Sequence, residues 1–433
     1  MIMDKLLTNM TQHVDRRVVY EEVHARPFPM VEAPLRVSFI GLLTDSSKVA
    51  AHRRQLQQLA RKLGQSEPPD KADCYYQSFP GFDLRWERHQ EFCTLAILQP
   101  VPGEADFSEP ALSVLPGEWL TALEGELVVA FHGLVLDGDS LLPGNPQLTN
   151  LFEGHTLFGS RVVDGRAAVW SSFRLSDDGF TRFLLYNKNL SRFQAGRTLQ
   201  RMMEVETYRV MALLGLPLAR RIAPVVAGMD QELAAIIDRI SEITTVEDEQ
   251  ALLAEMSELA ARVEQLRASS KYRFSATQAY YQLVRRRLDD LREEKFSGVS
   301  TLGKFLDRRL EPAVRTCVAV EEQLKDLSKR LSRASDLLRT RVDLTIEAQN
   351  QQLLQSMNRR SALQLRLQQT VEGLSVVVIS YYLVGLIKTL LSAGKSAGMT
   401  LNIDLLAGLT VVPVVLVVWL LVRKVRRSTS DKN

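Results

Sequence analysis

The longest apolar stretches of the chain lie close together near its C-terminal end. Leu405–Val422 is uncharged and long enough to cross a bilayer core of about 30 Å. Leu374–Leu391 is nearly as apolar, with one charge, Lys388, near its far end. The pattern predicts two transmembrane helices joined by residues 392–404, which makes the lipid bilayer a partner. A buried core helix is the alternative for the first run, because its uncharged part is shorter than about 17 residues.

Basic residues flank this pair of runs on both outer sides. Lysine and arginine near the ends of membrane spans are retained in the cytoplasm, and the connecting segment carries only Lys395. Both flanks, and with them both chain termini, are therefore predicted to be cytoplasmic. No apolar run of the length that a signal peptide needs stands near the start of the chain. The flanking basic residues are Arg359, Arg360, Arg366, Arg423, Lys424, Arg426 and Arg427.

The first 190 residues show the short apolar runs and turn signals of an α/β domain. Lys48–Leu63 has helical spacing, and Asp164-Gly165 between two apolar runs is typical of a tight hairpin turn. A strand, a helix and then further strands favour a mixed sheet with helices on one face. The predicted strands are Arg36–Leu43, Phe92–Leu98, Leu127–Leu136, Thr156–Val163, Ala167–Leu175 and Phe180–Tyr186.

Helical periodicity replaces this pattern after Asn189. Arg197–Leu214 is predicted as an amphipathic helix that Pro217 and Pro224 end, and later helices continue almost to Val371. A helix beginning near Thr301, with Pro312 in the first turn of a new helical segment, is predicted to run on into the first membrane span as one rod. Its apolar seam requires partners, which are either helices of the same chain or other subunits. The seam residues are Cys317, Val320, Leu324, Leu327, Leu331, Ala334 and Leu338.

The predicted architecture thus has four parts. It comprises a cytoplasmic α/β N-terminal domain with a mixed sheet and helices (residues 1–190) and a long helical or coiled-coil stalk (191–370). Two C-terminal transmembrane helices (371–422) and a basic cytoplasmic tail (423–433) follow. A homo-oligomer formed through the stalk is the expected assembly.

Composition excludes several classes of protein and site. A net charge of +3, from 54 basic and 51 acidic residues, gives no indication of a nucleic-acid partner. The three cysteines are scattered, which argues against a disulfide framework or structural zinc and fits a reducing compartment. The chain has no HExxH, GxSxG or GxGxxG motif. No cofactor and no catalytic residue are predicted.

Glu22, His24 and Arg26 form the densest polar cluster near a turn. The histidine could exchange a proton near neutral pH and the arginine could bind an anion. The alternative is that the cluster ties a loop to a sheet edge.

Tyr381, Gly385 and Lys388 fall on one face of the first predicted span. Polar groups in lipid face protein or water, so this stripe either lines a pore or packs against the neighbouring helix, with Gly385 allowing close approach.

Three stretches of the chain are distinctive: Tyr20–Pro29 (YEEVHARPFP), Arg201–Pro217 (RMMEVETYRVMALLGLP) and Leu374–Tyr382 (LSVVVISYY). With them, the chain resembles the DUF3422 family of uncharacterised bacterial membrane-anchored proteins. The resemblance runs nearly end to end, implies a multi-pass protein of the bacterial inner membrane, and brings no activity with it.

The layout also resembles, more loosely, that of CorA-type magnesium channels. Those proteins have a cytoplasmic α/β domain, a stalk helix that continues into the first span, and a Gly-Met-Asn signature after it. This chain has Gly398-Met399-Thr400, displaced into the loop and without the asparagine. A divalent cation is a partner only on this resemblance.

Three functions remain open at this point. The leading hypothesis is a non-enzymatic, membrane-anchored protein that displays its α/β domain for interaction or regulation. The alternative is a CorA-like channel or transporter built as an oligomer, and the third is a membrane-tethered enzyme that uses the His24–Arg26 region.

The predicted orientation can be tested with a reporter. A fluorescent protein fused after Asn433 is expected to fold and fluoresce, and alkaline phosphatase at the same site to stay inactive, because the basic flanks hold this end in the cytoplasm. Active phosphatase at that position would contradict the predicted orientation.

Overall fold

The computed structural model describes residues 11–22, 27–103, 105–138, 143–243, 245–396 and 403–430. The chain forms two compact units. The first contains Met1–Arg239 and Glu255–Ala334, and the second contains Ile240–Ala254 and Ser335–Asn433. These units are defined by how the chain packs. The four domain bounds given in the sequence analysis remain a prediction.

One mixed sheet organises the first unit. The strands are β1 (Leu35–Leu43), β2 (Cys74–Phe79), β3 (Phe82–Arg88), β4 (Phe92–Pro100), β5 (Glu126–Asp137), β6 (Phe158–Val162), β7 (Ala167–Ser171), β8 (Thr181–Asn187) and β9 (Glu294–Lys295). Their order is β2-β3-β4-β1-β5-β8-β7-β6-β9. The β5–β8 pair is parallel and the other pairs are antiparallel, which confirms the predicted mixed α/β sheet.

Helices precede, interrupt and follow the sheet. They are α1 (Arg16–Glu22), α2 (Ser46–Lys62), α3 (Gly117–Thr121), α4 (Pro146–Leu151), α5 (Arg192–Leu213), α6 (Gly215–Ile240), α7 (Val246–Leu291), α8 (Leu302–Ser396) and α9 (Ile403–Ser430), with a 3₁₀ turn at Ala111–Val114. A long helical C-terminal part therefore follows the sheet, as predicted.

Both faces of the sheet are covered, so the prediction of helices on one face is wrong. Alternate residues of a strand point to opposite faces. On β1, Ile40 and Leu42 pack with Leu56 and Leu59 of α2. Val37 and Phe39 belong instead to a core with residues of α5, α7 and the start of α8.

The predicted hairpin is present as β6 and β7, with Val162 opposite Ala167. Its turn has four residues rather than two. Asp164 and Gly165 take the positive φ that the sequence predicted, and Val163 takes it as well. Three strands were not predicted from the sequence: β2, β3 and the two-residue β9.

The predicted end of the helix before Pro217 is confirmed, since α5 ends at Leu213. Pro224 and Pro312, in contrast, neither end nor start a helix. Pro217 lies in the first turn of α6, where a missing N–H is tolerated, and Pro224 lies inside the same helix. Pro312 lies inside α8, which is continuous from Leu302 to Ser396 and does not start a new segment there. The predicted continuity of the stalk with the first apolar run is confirmed as one unbroken helix.

The apolar seam of α8 is buried within a single chain. All seven seam residues from Cys317 to Leu338 are buried. Polar contacts place α8 beside α7: Gln278 donates to Glu321 at 3.0 Å and Ser328 donates to Glu264 at 3.1 Å. Of the two arrangements left open by the sequence, helices of the same chain cover this part of the seam.

Three helical stretches are long and apolar enough to cross a membrane by length and composition: Arg192–Ile240, Leu302–Ala393 and Asp404–Lys424. They differ in how much of their apolar window is buried within the protein, at 33%, 6% and 17% respectively. The first supplies Leu199 and Met202 to the core against the sheet. The other two contain the runs that the sequence predicted as spans.

An ion pair joins the end of α8 to the start of α9. Lys388 Nζ lies 3.1 Å from Asp404 Oδ1. Farther from this connection, Val422 of α9 borders the same hollow as Leu367 and Ser375 of α8. The two helices therefore run antiparallel, as expected of a hairpin.

Acid is expected to destabilise the first unit through His132. Burial lowers the pKa of this imidazole to about 4, from 6.5. The unfolded chain therefore takes up a proton below about pH 6.5 that the folded chain binds only near pH 4. This difference costs at most about 3 kcal/mol of stability, lost as the pH falls through that window.

Thermal unfolding of the wild type and His132→Asn between pH 7.5 and 4.5 tests this. His132 Nδ1 lies 2.9 Å from Ser38 Oγ. Asparagine can keep this contact but does not titrate, so the unfolding temperature of the variant should fall less steeply with acid. His13→Asn, at an exposed histidine, is the matched control. Parallel pH profiles for all three proteins would contradict the assignment.

Candidate binding site

A cleft of about 320 Å³ opens between one face of the sheet and two helices of the first unit. Its floor comes from β1, β3 and β4, and its wall comes from α5 and the last turn of α7. Phe28, in the segment before β1, closes one side. This volume lies at the small end of the range for ligand sites.

The register of the sheet sets the floor. Arg85 of β3 pairs with Ala96 of β4, which pairs with Phe39 of β1. Glu87 lies two residues beyond Arg85 and pairs with Thr94. Because residues two apart share a face, Arg85 and Glu87 both point to the cleft side of a sheet whose other face is apolar.

Arg85 and Glu87 are both buried and are held by several partners. The Arg85 guanidinium lies 4.0 Å from the centre of the Tyr76 ring and donates to the Pro27 carbonyl at 2.6 Å. Its distance to Glu87 is 3.7 Å. Glu87 accepts a 2.6 Å hydrogen bond from the Tyr76 hydroxyl, and its second oxygen lies 3.8 Å from His89 Nε2. Burial, reinforced by the Glu87 charge, raises the pKa of Tyr76, so its hydroxyl stays a donor.

The helical wall carries a second set of charges at one-turn spacing. Glu204 of α5 accepts from Gln200 at 3.1 Å and forms an ion pair with Arg287 of α7. Asp290 lies 3.4 Å from Arg287 and 3.8 Å from Arg201. Burial lowers the pKa of Arg201, against the opposing effect of Asp290, and the group remains a cation at neutral pH.

Positive and negative charges balance in this cleft. Three guanidinium groups, those of Arg85, Arg201 and Arg287, face three carboxylates, those of Glu87, Glu204 and Asp290. The Gln200 side-chain oxygen is buried without a hydrogen-bond partner in the described part of the chain. The walls between these groups are apolar, with Phe28, Phe39 and Met203.

A glycine on α5 allows the segment that contains Phe28 and Pro29 to lie against the helix. A Cβ at Gly196 would collide with the Pro29 carbonyl oxygen, so only glycine permits this approach. The Val31 amide donates to the Arg192 carbonyl at 3.1 Å, which fixes the same segment one turn earlier. Phe28 is thereby held at the cleft.

A buried ion pair supports the helical wall from behind. Glu91, just before β4, forms a bidentate pair with Arg273 of α7. Tyr280 donates to the same carboxylate, and its pKa is raised by burial and by the Glu91 charge. The Tyr280 ring stacks on Tyr208, which lines the cleft, at 5.8 Å between centroids.

The first predicted cluster lies next to this cleft along the chain. His24 and Arg26 fall outside the described residues, and Glu22 ends α1 with its side chain also outside them. The neighbouring Pro27 contributes its carbonyl to Arg85. A binding role for Glu22, His24 and Arg26 remains a prediction.

The second predicted set lies on α8. Tyr381 is 77% exposed, and a Cβ on Gly385 would meet nothing within 4 Å. Lys388 pairs with Asp404. The choice between a pore stripe and a packing stripe therefore remains open, and Gly398-Met399-Thr400 lies outside the described residues.

A serine, a histidine and an aspartate meet elsewhere in the sheet. Ser38 Oγ lies 2.9 Å from His132 Nδ1, and His132 Nε2 lies 3.9 Å from Asp178. The serine is completely buried and accepts from the Leu112 amide at 3.1 Å. The buried serine hydroxyl is out of reach of a substrate. These side chains therefore have a structural role, in which they join β1 to β5 and to the turn at Leu112.

Within the described residues, no group of three His, Cys, Asp or Glu side chains is placed to hold a metal ion. Cys74, Cys93 and Cys317 form no disulfide within the described part of the chain.

Sequence reasoning missed the residues that line the cleft. Phe82, Leu84 and Trp86 alternate with Asp83, Arg85 and Glu87, which is a strand signal. The spacing of Gln200, Glu204 and Tyr208 by four residues was a signal for one helix face. The pairing of these two surfaces comes from tertiary structure and leaves no local signal.

A family model described as a protein of unknown function, DUF3422, matches residues 11–429. No curated protein matches the chain.

Removing the supporting arginine is expected to destabilise the unit that carries the cleft. Arg273→Leu leaves Glu91 charged and buried, which should cost about 2–4 kcal/mol and lower the unfolding temperature by several degrees. Arg315→Leu, which breaks the exposed pair with Glu311, should cost less than about 1 kcal/mol. Equal melting of the two variants would refute a supporting role for the pair.

Proposed function

Because the chain belongs to the DUF3422 family over almost its whole length, and that family carries no assigned activity, we propose a function from the geometry of the chain itself. It is a membrane-anchored protein that works by binding and not by catalysis. The end of α8 and α9 form the anchor, and the sheet unit binds a small ligand in its charged cleft and serves a regulatory role.

The observation that carries the anchor is the exposure of apolar side chains on α8 and α9. Only 6% of the most apolar window within Leu302–Ala393 is buried in the protein. Soluble proteins rarely expose a continuous apolar surface of this size, whereas lipid covers it without cost. The ion pair between Lys388 and Asp404 lies at the connection of the two helices, where charged groups reach the bilayer interface.

Binding is favoured over catalysis by the chemistry of the cleft. Its carboxylates are held by guanidinium groups and by the Tyr76 hydroxyl, and no serine or cysteine is among the described residues that line it. The serine and histidine that do meet in this unit are sealed in the sheet. Buried charges around a small hollow are typical of recognition sites.

The bacterial inner membrane, with both termini in the cytoplasm, is the proposed location. The basic residues outside the two apolar runs support this orientation, and place the sheet unit on the cytoplasmic side.

A CorA-like channel is the second candidate function. Tyr381 and Tyr382 are exposed polar residues on an otherwise apolar helix, and in lipid they require protein or water partners. A homo-oligomer packed around these residues would supply both protein and water partners. The oligomeric state of detergent-solubilised protein decides this point, because a monomer with two spans cannot enclose a pathway.

Carbonate extraction of membranes tests the anchor. The wild-type protein is expected to remain in the membrane pellet. Val412→Arg with Leu416→Arg places two charges in the middle of α9, at about 3 kcal/mol each, and should sharply reduce the integrated fraction.

Leu175→Arg is the matched control, since this exposed apolar residue lies in the sheet unit. It should leave the protein in the pellet. Wild-type protein found in the soluble fraction would overturn the proposed anchor.

A further inference from the structure

We propose that the cleft binds a small zwitterion with an apolar side chain, of the chemical class of a free neutral α-amino acid. This inference rests on the proposed binding function and names its ligand. The ligand carboxylate is assigned to Arg85 and Arg201, and the ligand ammonium to Glu87 and Asp290.

The ion pairs of the cleft divide into tight and loose ones. Glu204 and Arg287 are in hydrogen-bond contact, and Arg287 also donates to one oxygen of Asp290 at 3.4 Å. The pairs Arg85–Glu87 and Arg201–Asp290 are separated by 3.7 and 3.8 Å, which is beyond hydrogen-bond distance. The loose pairs therefore keep donors and acceptors that a ligand can engage.

Each loose pair offers both signs of charge. Arg85 has five N–H donors, and the Pro27 carbonyl takes up one of them. Glu87 accepts from Tyr76 with one oxygen, while its other oxygen lies 3.8 Å from His89. A carboxylate can accept about four hydrogen bonds, so Glu87 retains capacity for an ammonium group.

The charge balance selects against ligands with a single charge. A simple anion near Arg85 or Arg201 would also lie near Glu87 or Asp290, and a simple cation would lie near a guanidinium group. Like charges in a partly buried site repel strongly. Either ligand would therefore lose to repulsion much of the binding free energy that it gains by attraction. A molecule that carries both charges can satisfy both partners of a loose pair.

The remaining lining sets the size and polarity of the side chain. Phe28, Phe39 and Met203 supply apolar surface between the charged groups. A cavity of about 320 Å³ suits a ligand of amino-acid size. Leucine and phenylalanine should therefore bind better than aspartate or lysine, whose extra charge would upset the balance.

Binding to full-length protein in detergent tests this, measured by calorimetry and thermal shift. The probes are L-leucine and two analogues that each lack one charge: 4-methylpentanoate without the ammonium, and 3-methylbutylamine without the carboxylate. We expect leucine to bind and to raise the unfolding temperature. Each analogue should bind at least about tenfold more weakly, since it leaves one buried charge without a partner.

Variants locate the site. Arg201→Gln is expected to weaken leucine binding by about tenfold or more through loss of a charged hydrogen bond. Its side chain is 27% exposed, so the substitution should leave the fold intact. Glu87→Gln should weaken leucine and 3-methylbutylamine but not 4-methylpentanoate. Arg61→Gln, at an exposed ion pair, is the control and should bind as the wild type does.

Equal affinity for leucine and either analogue would overturn the zwitterion assignment, as would the absence of binding by every amino acid tried. Unchanged affinity in Arg201→Gln would overturn the location. A protein that stays in the carbonate pellet but binds no amino acid loses only this inference. A protein that binds leucine but is soluble loses only the anchor.

Discussion

The fold depends on covering one apolar face of the sheet with helices that come much later in the chain. Val37 and Phe39 of β1 share a core with Leu199 of α5, Leu288 of α7 and Leu306 of α8. The very long helix α8 is thus rooted in the same core as the sheet. The cleft lies at the edge of this core, where charged side chains of β3, α5 and α7 replace apolar ones. Folding therefore creates the cleft by bringing distant segments together.

Much of the fold was predictable because local patterns and tertiary packing agreed. The strands around Arg36–Leu43 and Leu127–Leu136 are apolar runs, and each was placed within one or two residues of its bounds. The sequence predicted Pro217 and Pro312 as helix boundaries, although both lie within helices. Tertiary packing overrides that signal where neighbouring helices hold the backbone. Burial of the α8 seam within one chain could not be read from spacing, which is the same for either kind of partner.

The cleft was not predictable to the same degree. Arg85 and Glu87 look like ordinary solvent-facing residues of a strand, yet α5 and α7 cover that face and bury both side chains. Charged residues are almost never fully buried without partners, and the partners of these two come from Pro27, Tyr76 and His89. Sequence reasoning chose Glu22, His24 and Arg26 because they stand close together along the chain. The structure instead assembles its charges from three separate elements, β3, α5 and α7, with Pro27 beside that cluster.

Pro312 has a mechanical consequence for α8. Proline has no N–H, so the carbonyl of Arg308 lacks its usual helical donor and the helix is weakest at this turn. Its neighbours Ala313 and Val314 are buried, so this weak turn lies inside packed protein and not in the exposed stretch that follows. Any kink of the helix would concentrate there and would have to displace core side chains. Packing thus opposes bending at the one turn that lacks a backbone donor, and the rest of the described helix, to Ser396, contains no further proline.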